Sequence, residues 1–476
     1  MKNIRLRYAP SPTGYLHIGN TRTALMNFLF AKHYKGDFIV RIEDTDFERN
    51  VDDAIESQFD NLAWLSIEPD ESFLKPIKKY GAYKQTEKLE IYKDYANKLI
   101  GKGYAYKCFC TQAELEKERE AQNARGIVAT KYAGTCANLT KEQIHTKDGM
   151  EFNIRFRVPE NKEYNIADIV RGDIKFDSNE IGDWVIIKSN GIATYNFAVV
   201  VDDFDMEITH VVRGEEHISN TPKQLMVFEA LGWTAPTYGH MTLIVDENRK
   251  KLSKRSGNQT FFISQYKSLG YLPEAMFNYI ALLGWSPGGE DEIFTKEELV
   301  KKFDEKRFSK SPSTFDVNKL KWVNSVWMKK IDDEKYLSFI KEFIDPKFEV
   351  SKLKEDELNG ILMLFKKEIE YGVQINDHIG MFFTEVKVSK EDLELLKSFE
   401  YKKLNETLIE QISSIKFDEQ SIKDMIKLIG LSLGIKGKDL FMPIRIMTTT
   451  QSHGPELAKT IMYLGKEKVL NNLKGI

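Results

Sequence analysis

Apolar positions in the first part of the chain switch between two periods. Residues 4–8 read as a strand, 21–34 as a helix with Leu25, Phe28 and Leu29 on one face, 38–42 as a second strand and 53–65 as a second helix. That alternation is half of a parallel α/β sheet of the nucleotide-binding kind. From about Tyr83 the pattern changes to a helix ending at Gly101, a cysteine-containing turn, a charged helix over 112–125, and short strands near 151–158 and 184–189. This stretch reads as an inserted α+β domain. The sheet pattern resumes at 191–201 and 210–213, a helix follows over 221–231, and a strand over 241–245 leads into a polar loop. Beyond Phe261 strand signals fade. Amphipathic helices are expected over 273–283, 335–343, 356–371, 391–399, 422–431 and 455–464, so the last third should be all-helical.

Composition adds little to this outline, but it removes alternatives. A chain of 476 residues with 42% apolar content can fill a core in several domains. It has no apolar run long enough to span a bilayer, and Arg5, Arg7 and two prolines interrupt the first apolar stretch, so neither a membrane protein nor a signal peptide is expected. The expectation is a cytoplasmic monomer. Three cysteines cannot all pair within one chain, and their clustering points to metal rather than disulfides. The net charge of −3 looks unsuited to RNA, yet lysine and arginine crowd residues 301–330 and 421–476. Such stretches can follow a phosphate backbone or simply form solvated helix faces.

The candidate chemistry lies in two places. Ala9-Pro10-Ser11-Pro12-Thr13-Gly14-Tyr15-Leu16-His17-Ile18-Gly19-Asn20 joins a strand to a helix N-terminus, where glycine lets backbone approach a ligand and N–H groups meet negative charge. Far downstream stands Lys251-Leu252-Ser253-Lys254-Arg255, in a polar loop able to close over a triphosphate. In this order the pair resembles the two signatures of class I aminoacyl-tRNA synthetases. Asn20 replaces the final histidine of the first, and Leu252 and Arg255 depart from the second. Four further stretches resemble glutamyl-tRNA synthetases: Arg7 to Gly14, Arg41 to Asp46, Thr194 to Phe197, and Val212 to His217.

The resemblance implies a Rossmann-like class I synthetase catalytic domain split by the insertion and followed by a helical anticodon-binding region. It divides the chain into 1–82 and 191–240 for the catalytic domain, 83–190 for an acceptor-binding insertion, 241–322 for a stem-contact domain, and 323–476 for anticodon binding. It implies ATP with Mg2+ as substrate, L-glutamate as the amino acid, tRNA(Glu) as acceptor, and a glutamyl-adenylate intermediate formed with tRNA bound; whether tRNA(Gln) is also charged stays open. His17 and Lys254 become the catalytic donors, with Gly14, Gly19 and Lys251 also at ATP. Arg7, Ser11, Glu43, Tyr195 and Arg213 become the glutamate site. The physics agrees, because an ammonium suits Glu43 and a side-chain carboxylate suits a bidentate arginine fork. Arg213 should discriminate most, since a buried guanidinium does not accept a neutral amide in place of a carboxylate.

Cys108, Cys110 and Cys136 resemble the zinc-binding knob of some family members, which would be structural. Zinc takes four ligands, and Asn138 stands where zinc-bearing relatives place the fourth. His145 or a neighbour is one substitute, and three partly buried thiols without metal are the alternative. Phe365, Tyr371, Phe382 and Arg445 are candidate base contacts in the helical region, but each reads first as helical core or surface, and none is assigned that role. Two other classes compete with the synthetase: a paralogue that binds RNA without activating an amino acid, and a nucleotidyltransferase with a small-molecule acceptor.

Overall fold

The computed structural model describes residues 3–252 and 262–476. The chain divides into two units, Met1–Gln265 with Met276–Asp316, and Tyr266–Ala275 with Val317–Ile476.

The first unit is built on a parallel four-stranded sheet in the order Asp37–Val40, Arg5–Tyr8, His210–Gly214, Thr237–Met241. Its strands are short and largely buried, and their buried positions hold Arg5, Arg7, Arg213 and His240 among the apolar side chains. Leu6, Ile39, Val211 and Val212 are fully buried. Helix Ile18–His33 follows the first strand, and Leu25 and Leu29 pack inward from it as the periodicity predicts. The carboxyl ends of the first and third strands carry Arg7 and Arg213. The crevice outside such ends is where open α/β sheets bind ligands.

Between the second and third strands the chain forms the inserted segment. Ala105–Cys108, Asn153–Phe156 and Trp184–Ile187 make an antiparallel sheet. A hairpin of Glu163–Asp168 and Gly172–Asp177 stands beside it in sequence. The sequence reading missed this hairpin although its first strand alternates exposed and buried residues without a break.

One expected strand is corrected. Residues 191–201 do not resume the sheet; Tyr195–Asp205 is a helix, entered from Thr194 in extended conformation. Its run Phe197–Val201 is buried on all sides, and a continuous apolar run does not distinguish a buried helix from a buried strand. The helix delivers Tyr195 in its first turn and Asp202 and Asp203 in its last. A second correction concerns 241–245. The sheet's edge strand is Thr237–Met241, and Ile244–Val245 pairs separately with Ser313–Thr314.

The second unit is helical, as expected. Leu408, Ile412, Ile422, Ile444 and Ile461 sit at the centre of its core with no exposed surface. The helix expected over 356–371 stops at Leu364. Helix Lys438–Thr449 escaped the sequence reading, since Pro443 lies inside it and proline ordinarily ends a helix.

Candidate active site

The loop after the first strand delivers His17 as the N-cap of helix Ile18–His33, and the imidazole caps its own helix. Nδ1 accepts from the Gly19 and Asn20 amides at 3.1 and 3.4 Å. A neutral ring accepting at Nδ1 carries its proton on Nε2, so its other edge is a donor. A side chain at position 19 would begin 3.1 Å from the ring, which is why glycine belongs there. The Gly14 carbonyl accepts from Gln58 at 3.0 Å, fixing the loop. A cavity of about 310 Å³ opens here, lined by His17, Gly19, Asn20, Arg22, Glu216 and Lys251.

Lys251 pairs with Val245, and Phe262 forms a bridge to His17 while the Ile263 amide donates to Leu16 at 3.0 Å. Phe262 and Ile263, beyond the second motif, therefore meet the helix start, and Lys251 at the motif's beginning lines the cavity beside it. Lys254 itself lies outside the described residues. Arg22, a cavity residue that the sequence reading did not single out, is buried and donates to the Thr242 carbonyl. Burial lowers its pKa to about 10.

Four of the residues expected at the amino acid, Arg7, Glu43, Tyr195 and Arg213, come together at the strand ends. Tyr195 is surrounded by Arg213, Glu43 and Arg7 closely enough to feel the charge of each, and burial raises its pKa. Arg7 is not free: Nε and Nη2 both reach Asp203, at 3.1 and 3.4 Å. Arg41 lies 2.9 Å from Asp203, 3.3 Å from Glu43 and 3.5 Å from Asp202. Burial works against charge on Arg41, but the three carboxylates outweigh it and raise its pKa. Glu43 fares differently, since burial outweighs Arg41 and Arg7 and pushes it up to about 7. Lys88 completes this charge network, 2.8 Å from Asp202 and 3.1 Å from Asp205. Ser11 is exposed and makes no hydrogen bond among the described residues.

Arg213 has another kind of surroundings. Its guanidinium is 4% exposed and donates to Thr221 at 2.8 Å, Gln224 at 2.9 Å, His240 Nε2 at 3.2 Å, and the Tyr195 hydroxyl and His217 carbonyl at 3.4 Å. Each partner is uncharged. His217 stays neutral because burial and then Arg213 lower its pKa to about 4. Among the described residues, then, neutral groups alone hold this buried cation, surroundings in which an anionic partner is favourable. Asp202, Asp203, Thr221, Gln224 and His240 were all missed in the sequence. Only the acidic triplet ending an apolar run could have flagged the first two.

Cys108, Cys110 and Cys136 gather with their sulfurs within 4.8 Å of one another. His145 is not with them; it is exposed and paired with Asp148. Tyr132 is the residue that joins the thiols. Its hydroxyl is 3.4 Å from both Cys108 and Cys110 and accepts the Cys136 amide at 2.8 Å. Cys110 and Cys136 are 3.6 Å apart, near the sulfur spacing of roughly 3.8 Å that tetrahedral zinc bonds of about 2.3 Å require. In the helical unit Phe365 is buried against His378, Tyr371 stacks on Tyr271, and Phe382 packs into the core. Arg445 donates to the Pro455 carbonyl and borders a cavity of about 850 Å³.

Two family models match the chain. Residues 3–322 match "tRNA synthetases class I (E and Q), catalytic domain" and residues 334–476 match "Anticodon binding domain". The fold and motifs thus define a class I aminoacyl-tRNA synthetase. Among curated relatives, glutamate–tRNA ligases from Mesoplasma florum and Geobacillus thermodenitrificans are 60% and 51% identical, covering 100% and 99% of this chain and 100% and 98% of theirs. A solved glutamate tRNA ligase from Elizabethkingia meningosepticum, in complex with its amino acid, superposes with a TM-score of 0.91 at 32% identity, over 100% of this chain and 99% of that one. The chain belongs to the glutamate–tRNA ligase family.

The charge network makes a direct prediction for Arg41. Arg41→Met removes the cation shared by three buried carboxylates and should cost about 3–5 kcal/mol. Thermal denaturation measures it; an unchanged midpoint would show that Asp202, Asp203 and Glu43 are balanced without Arg41.

Proposed function

We propose that this enzyme joins L-glutamate to the 3′ end of tRNA(Glu) in two steps at the strand-end site. A glutamate α-carboxylate oxygen attacks the α-phosphorus of ATP, which enters with Mg2+; the bond to the β-phosphate breaks and pyrophosphate leaves. A hydroxyl of the terminal tRNA ribose then attacks the carbonyl of the glutamyl-adenylate, its proton is lost, and AMP departs. Neither step needs a protein nucleophile. Positioning and charge stabilisation carry the catalysis.

The observation that carries this reading is Arg213, a buried guanidinium with only neutral partners. It takes the side-chain carboxylate of glutamate as its counter-ion, with Tyr195 beside it. Glu43 holds the ammonium, and Arg7, half-neutralised by Asp203, faces the same space, with Ser11 at its mouth. His17 donates from Nε2 to a phosphate oxygen, Gly14 and Gly19 leave room for adenosine, and Lys251 and Lys254 follow the charge that grows on the leaving pyrophosphate. With the domains divided as the sequence suggests, the insertion over 83–190 receives the acceptor end, 241–322 the stem, and 323–476 the anticodon.

Zinc fits Cys108, Cys110, Cys136 and Tyr132, which would close a structural site of four ligands. These four residues would hold such an ion, which would supply a structural cross-link between the turn after Ala105–Cys108 and the chain near Cys136 and would take no part in the reaction.

Three measurements test these assignments. Arg213→Ala should raise the glutamate KM by about 10²-fold or more, as expected when a buried polar site loses its partner, while the ATP KM holds. Charging of purified tRNA(Glu) and tRNA(Gln) is the readout, with glutamine as competitor, and an unchanged KM removes Arg213 from the pocket. Glu43 supplies the second. With its pKa at about 7, ammonium binding requires deprotonation, so the glutamate KM should rise as pH falls below about 7, by up to roughly tenfold per unit. A pH-independent KM, or one whose pH dependence survives in Glu43→Gln, assigns the ammonium to another group. Elemental analysis provides the third: near-stoichiometric zinc in the purified chain, diminished in Tyr132→Phe, is expected, and a metal-free chain of full stability would leave three thiols and no site.

A further inference from the structure

Arg213 is held by a chain of hydrogen bonds that begins in the inserted segment. Asp168 ends the first strand of the hairpin. Its Oδ1 accepts from the backbone amides of Arg171 at 2.8 Å, Val170 at 2.9 Å and His240 at 3.1 Å. Oδ2 is left for the His240 ring, whose Nδ1 lies 2.6 Å away, and neither side chain has any exposed surface. On the far side of the same ring, Nε2 lies 3.2 Å from Arg213 Nε and 3.0 Å from the Thr221 hydroxyl.

These distances fix the proton. Carboxylate oxygen accepts only, so the hydrogen between Asp168 and His240 sits on Nδ1. In the neutral ring Nε2 then presents a lone pair, which is what the N–H of Arg213 requires. The ring is kept neutral, since burial lowers the His240 pKa, with Asp168 opposing and Arg213 reinforcing the effect. Asp168 stays ionised: burial raises its pKa, but the bonds from His240 and the two amides more than offset it.

Resting on the reading of Arg213 as the side-chain carboxylate site, we propose that Asp168 and His240 are positioning residues that set amino-acid specificity. They orient the guanidinium without neutralising it. The contrast with Arg7 carries the argument. Arg7 is oriented by direct contact with Asp203, so part of its charge is already answered. At Arg213 a neutral imidazole stands between acid and guanidinium, and the full positive charge remains for a ligand. A carboxylate placed directly on Arg213 would compete with the substrate's own. An imidazole supplies direction without that competition. Arg171, at the turn of the same hairpin, also pairs with Glu215 two residues beyond Arg213, so the hairpin holds this strand end at two points.

Two near-isosteric substitutions separate orientation from packing. In Asp168→Asn the side-chain NH2 faces Nδ1 and shifts the ring proton to Nε2, where it opposes the Arg213 N–H. In His240→Asn the bond to Asp168 can persist but the acceptor for Arg213 is gone. His240→Gln can return an amide oxygen to the Nε2 position and should restore part of the loss. Both Asn variants should raise the glutamate KM about 10- to 100-fold, the range that outer partners of an oriented binding group command. The ATP KM should move by less than about twofold, and the preference for glutamate over glutamine should narrow. Nitrogen-15 NMR of the His240 ring in the wild-type enzyme gives a readout that needs no variant and should show the proton on Nδ1.

A proton on Nε2 overturns the proposal. So do Asn variants that keep the wild-type glutamate KM and glutamate preference while Arg213→Ala loses them, or that raise glutamate and ATP KM alike along with a lower melting temperature. Should Arg213→Ala also leave glutamate binding intact, it is the pocket assignment that fails instead.

Discussion

Burying ionised groups where a parallel sheet ends costs several kcal/mol apiece unless opposite charge is brought with them. This enzyme concentrates Arg7, Arg41, Lys88, Glu43, Asp202 and Asp203 at such an end, all less than a tenth exposed. Balance among them is the constraint from which the local architecture follows. Helix Tyr195–Asp205 must present two adjacent acids to the sheet, and the residues around Arg41 and Lys88 must supply bases to meet them. Once those charges are matched, Arg213 stands out as a cation set among neutral donors and acceptors. The imbalance is local.

The same principle separates the two halves of the catalytic centre. Around Arg213 the polar groups are fixed by hydrogen bonds in the dry interior. Around His17 the loop and helix start provide backbone and imidazole donors beside a cavity that Lys251 lines. His17 serves structure and chemistry together, because capping its own helix through Nδ1 determines the face from which it donates.

Much of this was legible in the sequence, and the parts that were not share a physical cause. The strand containing Arg7, the helix starting after His17 and the third strand carrying Arg213 all follow from short apolar runs punctuated by turn residues. The resemblance to glutamyl-tRNA synthetases implies that Glu43 and Tyr195 share a neighbourhood, and the charge of Glu43 does reach Tyr195. Yet 191–201 was read as a strand, since apolar burial on every side erases the period that tells helix from strand. Asp168 and His240 carried no local signal, and Asp202 and Asp203 only that of acids closing an apolar run. Their importance lies in contacts across roughly 30 to 200 positions of sequence, which no window of periodicity spans. Tyr132 was invisible as a companion to the cysteines for a related reason: a tyrosine reads as core until its hydroxyl is found between two sulfurs.

The hairpin of residues 163–177 belongs to the inserted segment by sequence but to the surroundings of Arg213 by hydrogen bonding, through Asp168 and His240. An exchange of the whole insertion between homologous enzymes is therefore not a modular swap. A chimaera cut at the apparent borders would carry off the hairpin's acid while leaving the imidazole behind, so the donor sequence has to bring a matching carboxylate at that spot for its new host to keep choosing the same amino acid.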